Sequence, residues 1–383
     1  MRATRVQCSL GSRSSFKLIP LLLAGALCAA DDRLLFERAR ALEQAADLPG
    51  AEAAYRAYLQ QSPASAEALG NLGVVLARQS KYEGAAAAYR QALRIKPSLI
   101  ALRLNLGLAY YKMEKPELAV GQLQLYLKRD PANRQARQLL ATSLLETDRF
   151  VEAAGIFESL LPAEEFSVRL GLATAYVKLG RSADAQRLLA QLLDGSESPE
   201  AQVVLGQALL AENKLDEAEA AFRKALDLNP ALAGVHFLLG AVKWKGQEID
   251  DAIVEWRAEA ARAPAQFEAV FALGAALAEK GDAGEARVWL EKAAHSRPNH
   301  GATLYYLGKL AWKEKRPEAE ELLERSVRLD PNNRAAHYLL TQIYRLQGRV
   351  RDAERELLEV KRLSEASVRE DVDILKRALP RSR

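Results

Sequence analysis

The sequence predicts an all-α protein, a solenoid of about ten helix-turn-helix repeats. Three periodic features predict this fold class. An alanine followed four residues later by a large apolar side chain occurs ten times, at steps of 32 to 34 residues. A proline stands twelve residues after seven of these alanines, and a Leu-Gly pair precedes six of them. The alanines and their large partners are Ala51/Tyr55, Ala85/Tyr89, Ala119/Leu123, Ala153/Phe157, Ala185/Leu189, Ala218/Phe222, Ala252/Trp256, Ala286/Leu290, Ala319/Leu323 and Ala353/Leu357.

Each repeat is predicted to consist of two helices, which we call helix A and helix B. Two stretches with apolar residues at helical spacing are joined by a short polar turn such as Leu179-Gly180-Arg181. The proline after helix B ends that helix, because its ring fixes φ and it lacks an N–H group. A single helical pair cannot bury its apolar face alone, so neighbouring repeats are expected to stack into a continuous core.

The Leu-Gly pairs lie in helix A, where glycine lowers helix propensity and offers no side chain for packing. We therefore expect them to mark the point where helix A approaches helix B closely. The large residue four positions after the alanine then fills the space alongside. The pairs are Leu72-Gly73, Leu106-Gly107, Leu205-Gly206, Leu239-Gly240, Leu273-Gly274 and Leu307-Gly308.

The pair, the alanine with its large partner and the closing proline, repeated about every 34 residues, resemble the tetratricopeptide repeat family. The resemblance covers about Asp32 to Ala366. It implies a right-handed superhelical α-solenoid whose A helices line a concave groove, which in this family usually takes a peptide or a helix of a partner protein. Pro162 and Pro199 depart from the spacing, at nine and fourteen residues after their alanines. A local irregularity or a hinge between two stacks of repeats is expected there.

The amino-terminal segment, residues 1–30, differs from the repeats. It begins with four basic residues and no acid and continues with a 13-residue apolar run, which is typical of a secretory signal peptide cleaved after Ala30. Thirteen residues are too few to span a membrane, and no later segment approaches 18 apolar residues. The alternatives are lipidation of Cys28, an uncleaved anchor or a misassigned start codon. Leu27 is bulkier than the residue that normally precedes a lipidated cysteine.

The repeats are predicted to fill residues 31–366, and residues 367–383 are predicted to form a capping helix and a tail. From Val368 to Leu379 the apolar residues follow helical spacing, and the residues between them are polar. Such a helix would cover the last core face and keep the open end of the array soluble.

Removal of residues 1–30 changes the charge of the protein. The whole chain has 54 Lys and Arg, 50 Asp and Glu, a formal net charge of +4 and a pI of about 8.9. The segment carries four of the basic residues and both cysteines, Cys8 and Cys28, so the remaining chain is expected to be neutral and free of cysteine. Nucleic acid is therefore not an expected partner, and neither thiol catalysis nor cysteine-bound zinc is expected.

Aromatic residues recur on helix A of the last four repeats, two residues before the leucine of the pair, and two tryptophans follow that leucine by five residues. Residues seven apart share one face of a helix, so these rings form one candidate surface for a partner. Two nearby cations are candidates to hold carboxylates. The alternative is that the rings pack between adjacent A helices as ordinary core. The candidate partner-binding residues are Phe237, Trp244, Phe271, Tyr305, Lys309, Trp312, Tyr338 and Arg345.

No enzymatic activity, cofactor or metal site is expected. The sequence has no Gly-rich phosphate loop or hydrolase motif. Two histidines are expected to pack on A helices, and the other two lack a third nearby residue that could complete a metal site. The sequence therefore predicts an exported, periplasmic or secreted, non-catalytic scaffold that binds another protein. The alternative is the binding subunit of an envelope polysaccharide-synthesis or outer-membrane assembly system whose catalysis is on another chain. Direct carbohydrate binding is a third hypothesis, because aromatic rows can stack on sugars. The histidines are His236, His295, His300 and His337.

Overall fold

The computed structural model describes residues 30–161, 165–194 and 197–378, and all regular secondary structure in these ranges is helical. The predicted signal peptide therefore lies outside the described residues, apart from Ala30. Within them, twenty helices follow one another. They are α1 (Ala30–Gln44), α2 (Leu48–Gln61), α3 (Ala66–Arg78), α4 (Tyr82–Ile95), α5 (Ala101–Lys112), α6 (Pro116–Leu127), α7 (Arg134–Glu146), α8 (Phe150–Ser159), α9 (Phe166–Lys178), α10 (Ser182–Leu193), α11 (Pro199–Ala211), α12 (Leu215–Leu228), α13 (Val235–Lys245), α14 (Ile249–Arg262), α15 (Phe267–Lys280), α16 (Ala283–Ser296), α17 (Gly301–Lys313), α18 (Ala319–Leu329), α19 (Arg334–Leu346) and α20 (Val350–Ala378).

The helices form ten A–B pairs, in which odd-numbered helices are the A helices and even-numbered helices are the B helices. This confirms the predicted fold class, an all-α solenoid of helix-turn-helix repeats. The chain divides into two compact units, of which the first ends at Leu228 and the second begins at Asn229. Within each unit, every A helix packs against the B helix of its own repeat, and every B helix packs against the following A helix.

The irregular spacing near Pro199 lies inside the first unit and does not divide the chain. Pro199 is the first residue of α11, a position where the missing N–H group costs nothing. Ser198 caps the same helix, because its hydroxyl accepts a hydrogen bond from the Ala201 N–H at 3.2 Å. The late proline therefore begins a helix, whereas a proline at the regular spacing follows the end of one. Helices α9, α10 and α11 pack against one another in succession.

The close approach of helix A to helix B is confirmed in both units. All ten marker alanines are buried, and so are nine of their ten large partners, with Leu357 half-buried. A Cβ atom added to Gly73 would lie 2.4 Å from a ring carbon of Tyr89. In the second unit, a Cβ atom on Gly240 would lie 2.4 Å from Nε1 of Trp256. Each glycine is needed because the large ring of helix B occupies the space of a side chain.

Every A–B turn contains one residue in the left-handed region, with φ between 55° and 102°. The next residue closes the turn by donating its N–H to a carbonyl of helix A, as Lys81 does to Leu76 at 2.9 Å. Seven of the ten are not glycine, so the chain carries backbone strain at most turns. These residues are Ala46, Ser80, Glu114, Asp148, Gly180, Asn213, Gln247, Gly281, Lys315 and Gly348.

The last helix differs from the sequence-based expectation. A separate capping helix was expected from residue 367, but α20 runs without a break from Val350 to Ala378. The sequence explains this difference, because it has neither glycine nor proline between Val350 and Leu379. The second helix of the tenth repeat and the expected capping helix are therefore one element of 29 residues.

Candidate partner-binding surface

The candidate aromatic residues lie on the four A helices of the second unit. Each of these helices carries one ring two residues before its pair leucine, or before the leucine in that position on α19. Helices α13 and α17 also carry a tryptophan seven residues further on, which places it on the same helix face. We call these six residues the aromatic row. They are Phe237, Trp244, Phe271, Tyr305, Trp312 and Tyr338.

Four rings of the aromatic row are half-buried. Phe237 and Phe271 pack against one core cluster of the second unit, and Tyr305 and Trp312 pack against another. The ring of Phe271 also stacks on Phe267, with ring centroids 6.0 Å apart. These four rings contribute to helix packing and keep part of their surface accessible. They can therefore support a contact surface without being its most exposed part.

Two rings of the row are exposed, Trp244 at 37% and Tyr338 at 52%. The ring of Trp244 lies 5.8 Å from the ring of Trp256, measured between centroids. Trp256 is itself fixed, because its Nε1 donates a hydrogen bond to the Phe237 carbonyl at 3.1 Å. One side of Trp244 thus packs against the buried ring of Trp256, and the exposed part of its ring faces solvent.

The two candidate cations differ in their surroundings. Lys309 Nζ lies 2.7 Å from Glu279 Oε1, and its side chain is only 19% exposed. This ammonium is already neutralised by a carboxylate of the protein. Arg345 is exposed in the last turn of α19, seven residues after Tyr338 and on the same helix face. Arg345 is therefore the better placed of the two cations to meet a carboxylate of a partner.

An aromatic cluster that the sequence analysis missed surrounds His300. Its ring contacts Phe267 and Phe271 edge-on, each with centroids 4.8 Å apart. Its Nδ1 accepts a hydrogen bond from the Thr303 N–H at 3.2 Å, so His300 caps α17. Burial and the positive charge of Arg297 lower the pKa of His300 below its ordinary value of 6.5. The sequence signal that could have predicted this cluster is the pair of aromatic residues at 267 and 271, four residues apart on one helix.

His236 and His337 occupy the same repeat position and have the same kind of partner. His236 Nδ1 lies 2.7 Å from Glu255 Oε2, and His337 Nδ1 lies 2.6 Å from Glu356 Oε2. Each pair joins helix A to helix B of one repeat across 19 residues. These histidines thus link the two helices of their repeats through a polar contact.

The described part of the chain offers neither a metal site nor a membrane span. Among residues 30–161, 165–194 and 197–378, no group of three or more His, Cys, Asp or Glu side chains is arranged to hold a metal ion. No helix in these ranges is both long and apolar enough to cross a membrane.

Paired antiparallel helices at a period near 34 residues define a helical repeat protein. The sequence profile of the tetratricopeptide repeat matches residues 36–100, 104–167, 170–233 and 237–301, and a second tetratricopeptide repeat profile matches residues 313–364. The chain therefore belongs to the tetratricopeptide repeat family. This family consists in general of non-catalytic scaffolds for protein–protein interaction, and the repeats of this chain support the same role.

Solved structures support the fold. A tetratricopeptide repeat protein from Parabacteroides merdae ATCC 43184 is similar with a TM-score of 0.53 and 19% sequence identity, over 65% of this chain and all of that chain. The APC/C hetero-tetramer Cut9–Hcn1 is similar with a TM-score of 0.52 and 16% identity, over 91% of this chain and 84% of the other. At these identities the likeness concerns the fold. No curated protein sequence matches the chain.

Proposed function

We propose that the protein is a non-catalytic scaffold of the cell envelope that binds a peptide or helix of another protein through the aromatic row. The observation that carries the proposal is the exposure of Trp244 and Tyr338, at 37% and 52%. Large exposed rings beside half-buried rings are typical of protein contact surfaces, where Trp and Tyr contribute most of the binding energy. The repeat family supports the non-catalytic role.

The residues of the surface have different roles in this proposal. The four half-buried rings form the apolar base of the contact. Trp244 and Tyr338 lose most solvent exposure when the partner binds, and they are the expected hot spots. Arg345 pairs with a carboxylate of the partner. Lys309 keeps its ion pair with Glu279, which fixes the charge next to Tyr305.

The envelope location rests on residues 1–30, whose basic start and apolar run are typical of an export signal. Mass spectrometry of the protein purified from its native cell tests it. The expected mature chain begins at Asp31 and carries no lipid. A lipid mass on Cys28 would replace the soluble envelope protein by an anchored one, and an intact Met1 would contradict export with cleavage.

The binding surface is tested by partner capture from envelope extract. The wild-type chain and the Trp244→Ala and Tyr338→Ala variants serve as baits, and mass spectrometry identifies what they retain. We expect one recurrent protein, retained by the wild-type chain and reduced at least about tenfold by either variant. Recovery of a synthase or assembly complex as that partner would place the chain in such a system.

The matched control is Trp289→Ala. Trp289 lies on helix B of its repeat, where its Nε1 donates to Glu285 and Lys292 lies over its ring. This substitution removes an indole ring from the same unit but leaves the aromatic row intact, so capture should not change. Equal capture by all variants would contradict the proposal, and retention of glycan without protein would favour carbohydrate binding.

A further inference from the structure

A cleft of about 520 Å³ lies in the first unit between α4, α5 and α6. Three arginines line it: Arg90 and Arg94 on α4 and Arg103 on α5. The amide side chains of Gln91 and Gln122 border the same space, and buried leucines contribute to its wall. The cleft is thus rich in hydrogen-bond donors and positive charge.

The three guanidinium groups have no counter-charge among the residues that the structure describes. Within the described ranges, none of them forms an ion pair with a carboxylate. Arg103 Nη1 donates a hydrogen bond to a neutral acceptor, Gln122 Oε1, at 3.2 Å. The sequence around the cleft explains the excess of charge, because residues 84–113 contain five basic residues and no acid.

The Arg103–Gln122 contact has equivalents at the same repeat position. In each case an Arg or His lies three residues before the leucine of helix A, and its partner lies three residues after the marker alanine of helix B. The equivalents are His236–Glu255 at 2.7 Å and His337–Glu356 at 2.6 Å. Where those repeats have a glutamate, the third repeat has a glutamine. The cleft therefore lacks the carboxylate that the fold can supply at this point.

Arg90 also lacks the acid that two of its equivalents have one turn earlier. Arg56 and Arg223 occupy the same repeat position, five residues after the marker alanine. Each pairs with a glutamate one turn earlier, Glu52 at 3.0 Å and Glu219 at 2.7 Å. In the second repeat this earlier position holds Ala86. Two positions that hold glutamate in some repeats, here Ala86 and Gln122, thus leave Arg90 and Arg103 without a carboxylate.

We propose that this cleft binds an acidic segment of a partner protein, whose Asp or Glu carboxylates take the place of the missing glutamates. Guanidinium groups form strong two-point hydrogen bonds with carboxylates, and Arg90, Arg94 and Arg103 offer three of them. A cleft of about 520 Å³ accommodates a few side chains of a peptide. The equivalent pairs use carboxylates, which favours a carboxylate over a phosphate. The aromatic row contributes no residue to the cleft, so this inference stands apart from the proposed function.

The test measures binding of a fluorescein-labelled hexaglutamate peptide to the full chain by fluorescence anisotropy. Two variants remove the site in different ways. Arg90→Gln with Arg94→Gln deletes exposed charges, and Gln122→Glu supplies Arg103 with the carboxylate of its equivalents. We expect each to weaken binding at least about tenfold, which corresponds to about 1.4 kcal/mol. Circular dichroism verifies that the variants are folded.

The matched control is Arg56→Gln, which deletes one positive charge at the repeat position of Arg90. Because Arg56 is already paired with Glu52, we expect peptide affinity to stay within about twofold of the wild-type value. Loss of binding in this control equal to the loss in Gln122→Glu would show general attraction to a basic surface and overturn the proposal. Absence of hexaglutamate binding, or displacement of the peptide by inorganic phosphate but not by glutarate, would overturn it as well.

Discussion

The arginine cleft of the first unit and the aromatic row of the second unit are both built on the same helix-turn-helix repeat. They differ in whether their charged side chains have a partner of opposite charge in the protein. In the second unit, Lys309 of α17 is paired with Glu279, and two rings of the aromatic row, Trp244 and Tyr338, are exposed. In the second and third repeats, the rings of Tyr89, Tyr110 and Tyr126 are buried, and the three arginines of the cleft have no carboxylate partner among the described residues. The repeat position determines where a side chain lies. The side chain that packs against it determines whether its charge is available to a partner.

The largest expected effect tests whether helix A approaches helix B equally closely in the two units. Gly73→Ala in the first unit and Gly240→Ala in the second each place a Cβ atom 2.4 Å from a buried ring. We expect each to lower the free energy of unfolding by about 3 kcal/mol, because the rings have no room to move. Guanidinium denaturation followed by circular dichroism measures the loss. Tryptophan fluorescence reports the second unit specifically, since all four tryptophans lie there.

Gly121→Ala is the control for this pair. Gly121 lies inside α6, and apart from its chain neighbours and the adjoining backbone of its own helix no atom lies within 4 Å of the place its Cβ would take. The same substitution should here raise the free energy of unfolding by about 1 kcal/mol, because alanine favours helix over glycine. Equal effects of all three substitutions would show that helix contact is not the reason for the glycines.

The second prediction separates packing from binding within the aromatic row. Trp312 is half-buried against a core cluster, so Trp312→Ala should cost about 2 kcal/mol of stability and also weaken partner capture. Trp244 is more exposed, so Trp244→Ala should cost less stability, about 1 kcal/mol, while weakening capture. Denaturation midpoints and capture assays on both variants measure the two effects. A large stability loss for Trp244→Ala with capture intact would assign the whole row to the core.

The third prediction concerns the turns that both units share. Ala46 in the first unit and Lys315 in the second have φ values of 59° and 56°. Replacement of either by glycine should raise the free energy of unfolding by about 1 kcal/mol, because glycine adopts this region without a Cβ clash. Gly180→Ala and Gly281→Ala should lower it by a similar amount. No neighbouring atom crowds either Cβ position, so the cost comes from placing a Cβ on a backbone with positive φ. Chemical denaturation of the four variants measures these changes. A gain in one unit only would contradict a common turn geometry.

The sequence predicts those parts of the structure that depend on local spacing. Ala85, Tyr89 and Gly73 lie within one repeat, so their contact follows from the helical period. The turn residues were not predicted, because Ala46 and Lys315 share a conformation but no chemistry. The division after Leu228 was not predicted either, because the irregular prolines lie elsewhere.

The site was predicted only in part, because charge pairing reaches between repeats. From the sequence of its own repeat, Lys309 is expected to be free to bind a carboxylate of a partner. In the structure it pairs with Glu279, which belongs to the preceding repeat and lies 30 residues earlier. The arginine cleft combines two adjacent repeats in the same way. The repeat position of Gln122 holds glutamate only in the seventh and tenth repeats, so the sequence alone does not single out the cleft.

The smallest expected effect is a pH dependence confined to the second unit, which contains all four histidines. Burial and Arg297 lower the pKa of His300 in the folded protein, while Glu268 acts in the opposite direction more weakly. The unfolded chain therefore binds a proton more readily, and stability is lost as the pH falls below about 6.5. His300→Asn keeps an acceptor for the Thr303 N–H but removes the titration. Between about pH 7.5 and 5.5, the urea midpoint of the wild-type chain, followed by tryptophan fluorescence, should fall more than that of the variant. An identical fall in both would assign the pH dependence to other groups of the unit.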